Sequence, residues 1–403
     1  MFWSIKKRAY RANQQVMKAV SSVLPFSQPV VLSGAGSVEK LAENIRIRGL
    51  EHVLVVTDAV LLELGLVDGL RTALDDNGVR YTVFSEVQPN PTIENVESGR
   101  SVYKDNACDG IVGFGGGSPM DCAKIIAARI GNPMMSVRMM RGLFRVILPI
   151  PPLFCVPTTA GTGSETTIVG VITDAETHEK FAITDLKLMP KIAVLNPTLM
   201  VGLPPHITAA TGMDALTHAV EAYIGRNGSS YTDEKALEAT RLVFSALERA
   251  YQNGSDLEAR NDMALASFYG GCAFTRAYVG YVHAIAHNMG GLYGVPHGLA
   301  NAIILPYVLD YSRHDAQAKL AELARAAGLG DAGSSEEQLS AAFIEQVKQM
   351  NERMDIPTSI AQLREEDIPL IAQRALAEAH PDYPVPTIMS RGQCEQLIRK
   401  LLP

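Results

Sequence analysis

Five short apolar runs, each closed by a turn, mark the first half of the chain. Residues 53–56 are a Val-rich run ending at Thr57-Asp58. Residues 81–87 alternate apolar and polar positions and end at Gln88-Pro89-Asn90-Pro91. Ile111-Val112-Gly113-Phe114 runs into Gly115-Gly116-Gly117-Ser118, Phe154-Cys155-Val156 into Pro157-Thr158-Thr159, and Ile192–Leu195 into Asn196-Pro197. Runs of this length and composition predict strands. Helical patterns lie between several of them. One follows Thr92, whose hydroxyl suits an N-cap, and sets Ile93, Val96 and Val102 on one side; another covers residues 120–128. Strands alternating with helices predict an α/β unit with a mostly parallel sheet covered on both faces.

After Pro204-Pro205 the strand signals largely stop and helical spacing takes over. Ser335 and Gln338 form a capping-box pattern, and Leu339, Phe343, Val347 and Met350 then follow one helical face. The expected organisation is an extension over residues 1–26, an α/β domain over 27–203 and an all-α domain over 204–403. No internal repeat or low-complexity tract interrupts it.

Composition narrows the function classes. The chain has 403 residues, 47% apolar and 20% charged, with a net charge of −7. That is an ordinary globular composition, and it lacks the basic footprint of a nucleic-acid binder. The five cysteines are odd in number and form no CxxC unit. They read as reduced, buried thiols of a cytoplasmic protein, not as a zinc-thiolate site. No apolar run reaches the roughly 18–20 residues of a membrane span. Residues 1–25 carry Lys6, Lys7, Arg8, Arg11 and Lys18, no acid, and interspersed apolar residues. They lack the compact apolar core of a secretory signal. The expectation is an amphipathic helix packed on the body or on a neighbouring subunit, with a transit peptide or membrane-surface helix as the alternative.

Two loops suit a nucleotide. Gly115, Gly116, Gly117 and Ser118 sit between a strand and a helix, where glycines let backbone approach a phosphate and the helix start offers N–H groups. A tight turn is the plain alternative. Pro157 to Ser164 adds a loop of hydroxyls and small residues after another strand. Asp58, at a strand end, can accept hydrogen bonds from a ribose diol and would repel a 2′-phosphate; a helix cap is its plain alternative. The acid precedes the glycines, so the order is not that of the usual dinucleotide fingerprint, and the domain is a Rossmann-like variant. Gly34-Ala35-Gly36-Ser37 lacks the third glycine and reads as a hairpin or helix-entry turn.

The strongest chemistry lies in the second half. Asp214 and His218 are four residues apart in a helical pattern, as are His283 and His287, and His297 follows. Four of the nine histidines therefore fall between positions 218 and 297. Side chains at i and i+4 share a helix face, and a carboxylate with imidazoles is a ligand set for a divalent transition metal. Such groups on apolar helices need a shared partner, and an ion supplies it. His52, His178, His206, His314 and His380 read instead as isolated core histidines.

These motifs carry a resemblance. From about residue 27 onward the chain resembles the iron-containing (group III) alcohol dehydrogenases. The matching stretches are Gly-Gly-Gly-Ser-Pro-Met-Asp at 115–121, Pro-Thr-Thr-Ala-Gly-Thr-Gly-Ser-Glu at 157–165, Thr-Gly-Met-Asp-Ala-Leu-Thr-His-Ala-Val-Glu at 211–221, and His283 to Gly298. The resemblance implies an NAD-binding α/β domain followed by a helical metal-binding domain, an architecture shared with dehydroquinate synthases. It implies metal ligation by Asp214, His218, His283 and His297, with iron(II) as the ion and zinc suited to the same ligands. It implies NAD contacts from Asp58, Asn90, Gly115, Gly116, Gly117, Ser118, Thr158, Thr159, Thr167, Lys180 and Leu199. Phe274 would line the substrate site, and His287 would be a catalytic histidine near the nicotinamide and not a ligand. The implied reaction interconverts a primary alcohol and its aldehyde by hydride transfer to or from NAD, the alcohol oxygen being held at the ion. A homodimer or larger homo-oligomer is expected. The competing readings are a hydroxyacid–oxoacid transhydrogenase of the same family and a dehydroquinate synthase-like lyase. The lyase needs a cluster of basic residues, for which Arg276 is the nearest candidate. Residues 1–25 have no counterpart in short family members.

Overall fold

The computed structural model describes residues 2–177, 179–331 and 333–403, so His178 lies outside the described residues. The chain forms two compact units. One spans Phe26–Gly202, and the other combines Met1–Pro25 with Leu203–Pro403. In chain order the first helix, α1, covers Phe2–Val23. The strands are β1 (Val30–Ser33), β2 (His52–Val56), β3 (Arg80–Phe84), β4 (Gly110–Gly115), β5 (Gly142–Leu143), β6 (Leu153–Pro157), β7 (Val169–Asp174), β8 (Glu179–Thr184) and β9 (Ile192–Leu195). Between them run α2 (Ser37–Ile47), α3 (Ala59–Glu63), α4 (Asp68–Asp76), α5 (Ile93–Asp105) and α6 (Gly117–Gly131).

Six strands form one sheet in the order β1-β9-β6-β4-β2-β3, every pair parallel. The alternation within β2 divides the core between the two faces. Leu54 and Val56 join α5 and α6 through Val96, Ile125 and Ile126, whereas Val53 and Val55 join α2 and α4 through Leu41, Ile45, Leu70 and Leu74. All five β2 side chains are buried, as expected for a strand covered on both faces. Thr92 does cap α5: its hydroxyl accepts from the Asn95 backbone, and the Asn95 side chain accepts in return from Thr92 N–H, both at 3.2 Å. Gly36, at φ 81°, is the N-cap of α2, which settles that glycine pair as a helix entry.

Two expectations need correction. The predicted strand over 81–87 spans Arg80–Phe84 instead, because the chain turns into the 88–92 segment after pairing along β2. A second sheet, β5-β8-β7, is absent from the sequence-based reading. Its antiparallel β7–β8 hairpin turns after Asp174, through residues 175–177, without an Asn-Gly or Asp-Gly signature.

The other unit is helical. After α1 it contains α7 (Pro205–Ile224), α8 (Ser230–Gln252), α9 (Leu257–Ala277), α10 (Tyr281–Tyr293), α11 (His297–Ser312), α12 (Gln317–Ala326), α13 (Glu336–Arg353), α14 (Ile368–Ala379) and α15 (Arg391–Arg399). The capping box at Ser335 and Gln338 forms, and Leu339, Phe343, Val347 and Met350 are buried on one face of α13. The N-terminal helix packs on this unit. Arg11 donates to the carbonyls of Val385 and Pro386, and Gln14 to those of Pro381 and Tyr383. No helix among the described residues is long and apolar enough to cross a membrane. All five cysteines are buried free thiols.

Candidate metal centre and cofactor loops

Three helices deliver the metal-ligand candidates. Asp214 and His218 lie one turn apart on α7, His283 is in the first turn of α10, and His297 opens α11. Their ligand atoms all lie within 4.8 Å of one another. The Asp214 Oδ1 atom is 3.8 Å from His283 Nε2 and 3.6 Å from His297 Nε2. Ligands held about 2.0–2.2 Å from one tetrahedral ion lie roughly 3.3–3.6 Å apart, so the spacing suits a single ion. Glycine permits the close approach of α11 to α7. A Cβ on Gly298 would lie 2.4 Å from the Ala210 carbonyl oxygen and 3.3 Å from the Asp214 Cβ.

The donor set itself calls for a cation. Burial holds His283 well below the usual imidazole range, and the neighbouring His218, His297 and His287 push the same way. A neutral imidazole keeps a lone pair for a metal. Asn301 Nδ2 donates to Asp214 Oδ1 at 2.6 Å and lies 3.2 Å from both His283 Nε2 and His297 Nε2. That amide has two hydrogens for three acceptors. An ion accepts lone pairs from all of them, so the residues fit the group.

Glu221 controls the orientation of His283. Its carboxylate accepts from Gly280 N–H at 2.8 Å, Val282 N–H at 2.7 Å and His283 Nδ1–H at 2.7 Å. With the proton on Nδ1, Nε2 is left to face Asp214. Burial pushes the Glu221 carboxyl up to about 7, against the opposing pull of those donors. A Cβ on Gly280 would sit 2.6 Å from Glu221 Oε1, so glycine is required where α10 begins.

Phe274 stacks on His218 with ring centroids 4.2 Å apart. His287 stands outside the four-residue ligand cluster. Its ring stacks on His297 at 5.3 Å, and its Nδ1 donates to Glu378 Oε1 at 2.8 Å. Tyr383 donates to the same oxygen at 2.8 Å. Arg276 lies over the Tyr231 ring, 4.2 Å from its centroid. Of the remaining histidines, His52 is buried against Thr82 and His380 bonds the Tyr281 hydroxyl, but His206 and His314 are exposed. The expectation that they are core residues is wrong for those two, because each lies at or beyond a helix end facing solvent.

Glu221, Asn301 and Glu378 were not recognised from the sequence. Glu221 follows His218 by three residues and Asn301 follows His297 by four, so helical spacing contained both. Glu378 is 91 residues from its partner, and no local pattern marks it.

In the sheet unit eight of the eleven cofactor candidates lie at or after the carboxyl ends of β2, β3, β4 and β6, where ligands of open α/β sheets bind, whereas Thr167, Lys180 and Leu199 lie before β7, within β8 and after β9. Gly115 closes β4 at φ 146°, and Gly116 caps α6 without a side chain. A Cβ on Gly117 would be 2.8 Å from Thr162 Cγ2, so the glycine turn lies directly against the threonine loop. Thr158 N–H donates to the Gly115 carbonyl at 3.0 Å, and Thr159 Oγ1 would be 3.4 Å from a Cβ on Gly116. Asn90 N–H donates to Ser118 Oγ at 3.3 Å, and Lys180 Nζ to Asn90 Oδ1 at 2.6 Å. Asp58 caps α3 by accepting from Leu61 N–H at 2.9 Å through Oδ1. Two candidates sit apart from solvent-facing backbone. Thr167 is buried, its hydroxyl accepting from Lys124 Nζ at 2.7 Å, and Leu199 packs on the sheet core. Lys124, also unrecognised beforehand, further donates to the Ser164 and Val169 carbonyls at 2.6 and 2.8 Å. It ties α6 to the threonine loop.

Comparison with known proteins agrees with this chemistry. The iron-containing alcohol dehydrogenase family matches residues 29–197, and its C-terminal domain family matches residues 208–402. Alcohol dehydrogenase 4 of Schizosaccharomyces pombe is 40% identical, covering 86% of this chain and 82% of its own. The NAD-dependent methanol dehydrogenase of Bacillus methanolicus is 35% identical, covering 88% and 93%. A crystal structure of 1,3-propanediol oxidoreductase superposes with a TM-score of 0.91 at 36% identity, covering 94% of this chain and all of that one. On these matches and the convergence of Asp214, His218, His283 and His297, the chain belongs to the iron-containing alcohol dehydrogenase family.

Proposed function

We propose that this NAD-dependent, metal-containing alcohol dehydrogenase interconverts a short primary alcohol and its aldehyde, with iron(II) as its ion. The observation that carries the reading is the four-residue cluster of Asp214, His218, His283 and His297 in a chain of this family. When bound, the ion supplies Lewis acidity toward the alcohol oxygen and NAD accepts the hydride from the carbinol carbon. The chain's own residues do the rest. Glu221 fixes the His283 tautomer, and Asn301 ties down Asp214. Phe274 supplies an apolar wall beside His218. His287, with Nδ1 held by Glu378, offers Nε2 to hold or pass the hydroxyl proton.

For NAD we assign Gly115 to Ser118, Thr158 and Thr159 to the phosphates and nearby groups, with Asn90 and Lys180 beside them. Asp58 favours NAD over NADP by repelling a 2′-phosphate. Thr167 and Leu199 support the loops from within. The short names among the relatives, methanol and 1,3-propanediol, motivate a short alcohol here. We further propose a cytoplasmic homo-oligomer. Five free thiols fit a reducing compartment, and β1 presents Val30 and Val31, 55% and 39% exposed, on the outer edge of the sheet.

The test is a panel of C1–C4 alcohols and aldehydes with NAD or NADP, together with metal analysis of the same sample. The expected result is NADH formation from a short primary alcohol by iron-loaded protein. No turnover with any of them at full metal occupancy overturns the substrate class, and a preference for NADP removes the role given to Asp58.

A further inference from the structure

The helical unit contains a recess of about 590 Å³ lined by none of the metal-ligand candidates. Lys7 and Arg11 of α1, Arg226 after α7 and Lys319 of α12 contribute cations to its wall, and Asp315 contributes the single carboxylate. Four positive charges against one leave an excess of three.

These charges are anchored by neutral groups. Arg11 donates to the Gln14 side chain and to the Val385 and Pro386 carbonyls. Lys319 Nζ donates to the Tyr223 and Gly225 carbonyls at 2.6 and 2.8 Å. Lys7 lies over the Trp3 ring. Arg226 is exposed and enters no ion pair among the described residues. Asp315 is engaged by the Thr387 hydroxyl at 2.6 Å and by His314. The cations also repel one another. Burial, then Arg226, brings Arg11 down to about 10. Burial also lowers Lys319; Lys18 and Arg226 add to this, while Asp233 and Glu322, both outside the recess, oppose it.

The wall includes the first turn of α12, a ten-residue helix whose N-cap is Ala316, with no side chain able to cap it. Its amide N–H groups and the guanidinium fork of Arg226, with the fixed charge of Arg11 beside them, suit the same ligand, an oxyanion with several acceptor oxygens. We propose that this recess binds a phosphate-bearing anion. The volume accommodates a phosphomonoester larger than inorganic phosphate. A phospholipid headgroup presents the same chemistry, so the source is a question for experiment.

The test uses the full-length, metal-loaded protein saturated with NAD, so that the glycine loop is occupied. Inorganic phosphate and glycerol 3-phosphate are titrated calorimetrically at constant ionic strength. In parallel, vesicles of phosphatidylcholine with and without phosphatidic acid are co-sedimented with the protein. Arg226→Gln should weaken binding about tenfold or more, the size of one charge-assisted hydrogen bond, and Lys7→Gln with Arg226→Gln should weaken it further. Lys40→Gln, which removes an exposed charge from the sheet unit, should leave it unchanged. Arg226-dependent binding of the soluble phosphates supports the site with a small-molecule ligand. Arg226-dependent sedimentation with phosphatidic acid alone supports it with a lipid one. Binding in neither arm, or binding indifferent to both Arg226→Gln and the double variant, overturns the proposal.

Discussion

In the metal centre the chemistry is carried by side chains, fixed on long buried helices and held by further side chains behind them. At the glycine loop, where we place NAD, it would be carried by backbone, and the side chains there are small or missing. Asp214, His218, His283 and His297 converge because α7, α10 and α11 pack tightly, with Glu221 and Asn301 setting angles. Gly115 to Gly117 offer N–H groups and space. One site should therefore fail when an atom is removed, and the other when an atom is added.

The largest break expected is His283→Ala. Metal content should fall to near zero and turnover by about a thousandfold or more, since both ligation and polarisation are lost. Full metal in that variant would take His283 out of the ligand set. Glu221→Gln keeps the shape but weakens the hold on His283 Nδ1. Metal affinity should drop about 10–100-fold, measured by chelator competition, with turnover restored by excess metal. Failure of excess metal to rescue would point to a role other than orienting a ligand. His287→Gln should retain metal and NAD affinity while kcat falls about a hundredfold; a lost ion would mean that His287 ligates it.

Gly117→Ala probes the opposite side of the comparison. The added Cβ meets Thr162 Cγ2 at 2.8 Å, so KM for NAD should rise about tenfold with metal content untouched. An unchanged KM would show that backbone approach at this turn is not limiting.

The smallest effect separates the two units by pH. Burial and then Arg11 depress His380 from 6.5 to about 4. The unfolded ring takes up a proton first, so this contribution is complete above pH 6.5 and declines as pH falls toward 4. The Arg138 hydrogen bond depresses Asp174 in the sheet unit from 3.8 to about 2, so its contribution is complete above 3.8 and lost only as pH falls toward 2. Protection from hydrogen exchange, corrected for the intrinsic pH dependence of amide exchange, should thus fall at pH 5 in the helical unit before the sheet unit, by no more than about 1–2 kcal/mol after screening. His380→Gln should flatten that response; an equal loss of protection in both units would refute it.

The same contrast explains what was legible beforehand. Helical spacing exposes ligand pairs directly, so Asp214 with His218 was readable, and His297 stood out among few histidines. In the large sheet β2, β4, β6 and β9 were readable because burial on both faces makes continuous apolar runs, and β3 through its alternation, but the exposed edge strand β1 was not read. The β7–β8 hairpin was not, since its inner and outer positions are each only half apolar and its turn is unmarked. Partnerships such as His287 with Glu378, or Lys124 with Thr167, depend on tertiary proximity that no periodicity encodes.

The docking of α1 carries a consequence for biosynthesis. Arg11 and Gln14 find their acceptors 367 to 375 residues downstream, and the whole sheet unit is threaded between. During vectorial synthesis the sheet unit can close once residue 202 has emerged, because its parallel pairings all lie within 26–202. Lys18 can reach the Arg226 carbonyl earlier, but the four carbonyls that hold Arg11 and Gln14 lie within residues 381–386. α1 is therefore made before the sheet unit yet largely secured after it, and its amphipathic face stays uncovered while residues 26–202 emerge, in reach of whatever binds nascent chains.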